Sequence, residues 1–242
     1  MRSERRNREA PRHQNCDAVP CRHLSEPTAG KAIDLTVMWV AHGALRRELA
    51  HLDRVTTAVD HDAGRVLVRA TGWRLLKQAL HAHHKAEDDV LWPTLRRSLA
   101  DRPKELALLE VLEAEHAIIR SVIEAIDAAL ADPQPDPLRL GDLVDTLVTG
   151  LAGHLDHEEA AALPLIQGSL TAEQWRRFGH VHARYIARHA RDLLPWLLAG
   201  ADEPTRTELL ACLPAATRSA FTDEWLPAYL SSDRWGTDRA CS

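Results

Sequence analysis

Phenylalanine, tyrosine and methionine occur only twice each in 242 residues, so the chain has little of the aromatic material that β-rich cores favour. Of its few aromatics, seven are tryptophan. Four cysteines, Cys16, Cys21, Cys212 and Cys241, are too few and too scattered for a disulfide framework, which points to a reducing compartment. No apolar run approaches the ~20 residues that span a membrane. The opening residues, Met1 to Glu9, are polar where a secretory leader needs an apolar segment, so a cytoplasmic location is expected. Nor is there a basic excess: the net charge of −5 excludes a strong general pull toward nucleic acid or an anionic membrane.

Alanine, leucine and histidine are plentiful. The length suits one or two domains with a substantial core, and fourteen histidines make their placement the main question. Residues 1–31 are rich in Arg, Pro, Asn and Ser without periodicity and are expected to form a disordered N-terminal tail. His13, Cys16, Cys21 and His23 lie there, but Cys-x4-Cys matches no closed zinc site. A first helix is expected over about 35–60, capped by Asp34 or Thr36. Its apolar stripe runs Leu35, Met38, His42, Leu45, Leu49, Leu52, Val55, with His42 in an apolar slot. A second helix is expected over 66–99, with the stripe Leu76, Leu80, His83, Glu87 and a kink or stop at Pro93; His81 and His84 read as flanking. The third begins near Pro103 and carries Leu109, Leu112, His116, Ile119, Ile123, Ile126, Leu130 in unbroken steps of three and four. A Pro-rich segment, 132–137, ends it. The fourth, over about 138–166, carries Leu143, Leu147, His154, Glu158 and Leu165. The second and fourth share His-x3-Glu-x5-Pro, an internal repeat. A fifth helix, capped at Thr171, is expected to reach about 194, with His180, His182 and His189 on a solvated face beside Arg184, Arg188 and Arg191.

The fold class expected is all-α: an up-down-up-down four-helix bundle over 32–168 with a helical C-terminal extension over 169–242. Trp175, Trp196, Trp225 and Trp235 give the extension apolar material to pack on the bundle. Taken singly, a histidine in an apolar stripe is an ordinary hydrogen-bonded core residue. Four stripes with four central histidines, two of them followed by Glu one turn on, are harder to explain that way. His42, His83, His116 and His154 with Glu87 and Glu158 suit two first-row metal ions bridged by oxygen; mixed imidazole and carboxylate favours iron, manganese or zinc over calcium.

His42, His83-His84-x-x-Glu87-Asp88, Glu115-His116 and His154-x-x-His157-Glu158-Glu159, each of the two Glu motifs followed by a proline (Pro93, Pro164), resemble the hemerythrin family, specifically its bacterial hemerythrin-like (HHE cation-binding) branch. The resemblance covers about 33–167 and implies a non-haem di-iron centre. In it His42, His83, His116 and His154 would be terminal ligands and Glu87 and Glu158 would bridge, with an oxo or hydroxo group between two Fe ions in preference to Mn or Zn. One feature departs from the oxygen carriers, which have a second histidine on the third helix. Leu112 and Arg120 occupy the candidate positions, leaving Glu113, His84, His157 or water to complete one iron. Such an iron is expected to react with its ligand rather than hold it reversibly. The expected partner is therefore a small diatomic or peroxide: O2, H2O2 or NO. The alternatives are a di-iron oxygenase or oxidase acting on an organic substrate, and an iron- or oxygen-sensing protein.

Overall fold

A computed structural model describes residues 33–58, 63–134 and 136–236; the His13, Cys16, Cys21 and His23 group and His61 lie outside these. Among the described residues there are helices and no strands. Four long helices form the bundle: α1 (Thr36–Ala58), α3 (Thr71–Ala86), α5 (Pro103–Ala131) and α6 (Pro137–His157), with the short α2 (Ala63–Arg69) ahead of α3. Caps set their starts. Asp34 Oδ1 accepts from Thr36 N at 2.9 Å, and Asp136 accepts from Leu138 N and Arg139 N at the head of α6, satisfying amides that have no partner within the helix.

The buried apolar side chains fall into two clusters. One holds Met38, Leu91, Trp92, Leu95, Leu109, Leu112 and Ile166; the other holds Leu45, Leu49, Leu76, Leu80, Ile119, Ile126, Leu147 and Leu151. α1, α3 and α5 each pass from one cluster to the other, and α6 lies in the second cluster while the residues that continue it, Ala162, Leu163 and Ile166, enter the first, in alternating direction along the chain. The crossing points are His42, His83–His84, His116 and His154, so a single polar layer divides the core. Alternation of direction around one layer is the up-down-up-down arrangement.

The second helix departs from the expected single run. It breaks at Ala70, because the Gly72 amide donates to Arg234 O at 2.9 Å instead of closing a helical turn. Trp235 then sits on Gly72 so closely that a Cβ there would lie 2.2 Å from the indole. Pro93, in contrast, does not stop the helix. The chain widens into a π turn over Glu87–Leu91, the Trp92 amide bonds Glu87 O, and α4 (Trp92–Ser98) continues. The repeat behaves alike: a π turn spans Glu158–Ala162, the Leu163 amide bonds Glu158 O, and α7 (Leu163–Ser169) follows with Pro164. A proline has no amide to donate and its ring crowds the carbonyl four residues back; adding one residue to the turn accommodates both defects.

Beyond Ser169 the expected fifth helix is two: α8 (Ala172–Ala187), with its Thr171–Gln174 capping box, and α9 (Ala190–Leu198). α10 (Glu203–Ala211), α11 (Ala215–Ala220), a third π turn (Phe221–Trp225) and α12 (Leu226–Ser231) complete the fold. α8 packs on α3 and α9 on α1. Trp175, Trp196 and Trp235 are buried and Trp225 is half-buried. Trp175 Nε1 donates to Asp34 O at 2.9 Å, and Trp235 Nε1 to Glu48 Oε2 at 2.9 Å. Cys212 is disulfide-bonded, against the expectation of reduced cysteines. No helix among the described residues is long and apolar enough to cross a membrane.

Candidate metal centre

The polar layer contains seven inward-facing His and Glu side chains in two groups. His42, His83, Glu87 and Glu158 form one; His84, His116 and His154 form the other; within each group the ligand-type atoms lie within 4.8 Å of one another. All seven are buried. The six residues singled out from the stripes are therefore brought together at one depth. The seventh, His84, was read as flanking and instead points inward. It follows Leu80 by one helical turn, so it shares the buried face, and its ring stacks on His116 with centroids 3.8 Å apart.

The two glutamates stand between the nitrogen groups. Glu87 Oε1 lies 3.1 Å from His83 Nε2 and its Oε2 3.5 Å from His116 Nε2. Glu158 Oε2 lies 3.4 Å from His42 Nε2 and 3.9 Å from His154 Nε2. Nitrogen and oxygen atoms bound ~2.0–2.2 Å from one shared cation would be separated by about these distances. His42 Nε2 and His83 Nε2 converge to 3.2 Å.

The outward nitrogens of three imidazoles are held by carboxylates. His42 Nδ1 donates to Glu159 Oε1 at 2.8 Å, His116 Nδ1 to Asp88 Oδ1 at 2.8 Å and His154 Nδ1 to Glu115 Oε2 at 2.8 Å. An ionised carboxylate can only accept, so the proton sits on Nδ1 and the Nε2 lone pair faces the layer. Glu115 also takes His157 Nδ1 at 2.9 Å, Arg46 braces Glu159, and Arg120, largely exposed, lies 3.7 Å from Asp88. His157 and Arg120 are thus committed outside the layer. Glu113 pairs with Arg96, and Leu112 is core. Of the side chains proposed to complete the ligand set, only His84 faces inward.

Inside, both oxygens of Glu87 and of Glu158 and Nε2 of His84, His116 and His154 are buried without a hydrogen-bond partner. Leaving so many polar atoms unpaired is costly in a dry core. The electrostatics show the strain. Burial and the Glu158 charge push the Glu87 carboxyl well above its ordinary pKa. Burial also opposes ionisation of Glu158, but the nearby His42, 3.4 Å away, prevails and lowers it. His42 is raised although burial works against it, through Glu158 and Glu159. Burial first, and neighbouring imidazoles second, hold His83 and His84 well below the usual histidine range. His154 is also lowered, by burial ahead of every other cause. Without a cation, burial favours the neutral forms of Glu87, His83, His84 and His154, while His42 and Glu158 each favour the other's charged form.

Two further buried polar residues stand near the layer, one of them, His182, against expectation. His182 on α8 is buried, not solvated; it stacks on Phe178 and faces His83 with ring centroids 5.6 Å apart, and burial lowers its pKa to about 4. Glu48 is wholly buried one turn beyond His42's neighbours, where Arg47 and Trp235 satisfy it; the stripe pattern alone did not reveal it. A cavity of ≈ 380 Å³ between α3 and α5 reaches His84, lined by Leu80, Ile119 and Ile123 together with Lys77, Lys85 and Arg120.

Comparison with known proteins agrees with this geometry. Two curated relatives, both zinc finger proteins described as BRUTUS-like from Arabidopsis thaliana, are 22% identical over 214 residues and 19% identical over 225 residues. They match 84% and 85% of this chain, which spans only 17% and 18% of their own lengths. Both are plant proteins and lend no support to a bacterial branch. No solved structure shows a significant match. The hemerythrin HHE cation binding domain matches residues 34–166, more than half of the sequence and all four helices that carry the layer: the chain belongs to the hemerythrin HHE cation-binding domain family.

Proposed function

We propose that the layer holds two iron ions and that the pair binds or reacts with a small oxidant, O2, H2O2 or NO. The observation that carries this is the set of inward-facing oxygens and Nε2 atoms, buried with no hydrogen-bond partner, while the opposite nitrogens of three of the imidazoles are fixed by carboxylates. A cation in the layer would satisfy them together and remove the repulsion between Glu87 and Glu158. His42 and His83 would hold one ion, His84, His116 and His154 the other, and Glu87 and Glu158 would join them. The choice of iron over manganese or zinc follows the family resemblance; the donor set suits all three.

A bound iron pair would supply Lewis acidity and electrons to the oxidant. The chain's own residues do the rest. Glu159, Asp88 and Glu115 orient the imidazoles and raise their donor strength. The apolar clusters above and below keep bulk water from the layer. The cavity at His84 offers a route from solvent, and its Leu80, Ile119 and Ile123 walls suit an uncharged molecule of a few atoms.

The test is metal analysis after expression in iron-replete cells, with optical spectra before and after peroxide. About two iron atoms per chain and an oxo-to-iron absorption band are expected, and His83→Ala and Glu158→Ala should lose both. Iron-free protein that takes up none on reconstitution would sink the proposal.

A further inference from the structure

The helices after Ser169 build a second cavity, of ≈ 400 Å³, between α1, α8, α9, α10 and Trp225. That volume lies in the range of small-molecule sites, which are apolar with a few placed polar groups. Its walls include Val37, Phe178, Ile186, Leu194 and Leu209, and His182 also lines it, the buried imidazole that faces His83. Nothing in the metal layer requires this space.

We propose that this cavity is a binding site for a neutral, largely apolar small molecule whose single polar group meets the His182 ring. The lining contains no lysine or arginine, so a carboxylate or phosphate would enter without a counter-ion. Its one acidic residue, Asp34, is engaged in capping α1. The chain's own residues 1–32 are rich in arginine and other polar residues and match the apolar walls poorly. A hydroxyl or carbonyl on a hydrocarbon frame satisfies both the walls and the imidazole, which offers one donor and one acceptor when neutral. The molecule would lie one imidazole away from His83; only this proximity to a reactive centre rests on the di-iron proposal.

The full chain, as metal-loaded and metal-stripped samples, is titrated with the neutral fluorophore N-phenyl-1-naphthylamine, and the probe is displaced with 1-naphthol or naphthalene. Saturable binding is expected in both samples. Ala183 lines the cavity where it opens to solvent, so the larger side chain of Ala183→Phe should obstruct its mouth. Binding should weaken at least about tenfold while the circular dichroism spectrum, melting temperature and metal content stay unchanged. His182→Phe should keep naphthalene binding and abolish the preference for 1-naphthol. Absence of saturable binding, or equal affinity in Ala183→Phe, would overturn the proposal. So would a concentration-dependent dimer that Ala183→Phe dissociates, since the cavity would then be an interface between copies. Metal content is read on the same samples, so a chain that binds the probe but takes up no iron refutes the centre and leaves the cavity standing.

Discussion

At the scale of single residues, His84 is the decisive side chain. It completes a three-nitrogen group that the stripe of the third helix could not supply, since Leu112 and Arg120 stand where an imidazole was sought. His84→Ala should lower bound metal from about two ions per chain to about one, whereas His157→Ala and Glu113→Gln, whose side chains are committed outside the layer, should keep both; metal analysis of the three variants separates these outcomes. The carboxylates behind the rings offer a graded test. Glu115 holds His154 and His157 together, so Glu115→Gln should weaken metal affinity by roughly 10–100-fold, measured by competition with a chelator of known affinity. His42, His83, Glu87, His116, His154 and Glu158 could be picked out because each takes an apolar slot in a long stripe. His84 and His182 could not, because a stripe drawn with one residue per turn hides the second residue of a buried face, and a run of arginines beside His182 masked the turn that packs inward.

At the scale of elements, helix periodicity made the four long helices legible, and the caps at Asp34 of α1 and Thr171 of α8 are where the sequence suggested, whereas Asp136 at the head of α6 was not anticipated. What periodicity could not show was tertiary: the break at Ala70 is imposed by Arg234 and Trp235, more than 160 positions along the chain and invisible to any local signal. Gly72→Ala tests that contact. The added methyl collides with the indole, so the C-terminal segment should undock at a cost of about 1–3 kcal/mol; the readouts are a lower melting temperature and stronger quenching of tryptophan fluorescence by acrylamide. An unchanged melting curve would mean that this segment does not clamp α3. Pro93, expected to kink or stop its helix, and Pro164, expected to end the fourth, each follow a π turn after which the helix continues. In hindsight the signal is the repeated interval of six residues from Glu87 to Pro93 and from Glu158 to Pro164, which recurs from Phe221 to Pro227 at the third π turn.

At the scale of the whole molecule, the buried imidazoles govern acid stability of the metal-free chain. His83, His84, His154 and His182 are all depressed, the last from 6.5 to about 4. Each is neutral in the fold and protonated on unfolding below about pH 6.5, so its contribution is complete above that pH and drains away as pH falls toward the folded value. Glu87 acts in the opposite sense, since its raised value makes the fold lose stability as pH rises from the ordinary carboxylate range. His42, raised by Glu158 and Glu159, sides with Glu87; the four depressed imidazoles outweigh these two groups, and the metal-free protein should melt at a lower temperature at pH 5 than at pH 7. His182 alone can account for about 2 kcal/mol of that loss between pH 7 and pH 5, so His182→Phe should flatten the profile; an equally steep profile in the variant would count against its role. Iron that binds only the folded state should raise stability by about 2.7 kcal/mol for each site held at a hundredfold excess over its dissociation constant. The carboxylates behind the rings add a mechanical consequence. Glu159, just past α6, grips His42 of α1; Asp88, just past α3, grips His116 of α5; and Glu115 of α5 grips His154 of α6. Each tie joins two staves of the barrel and works like a section of hoop, so a pull on any one helix is shared by its neighbours, and the bundle should let go all at once.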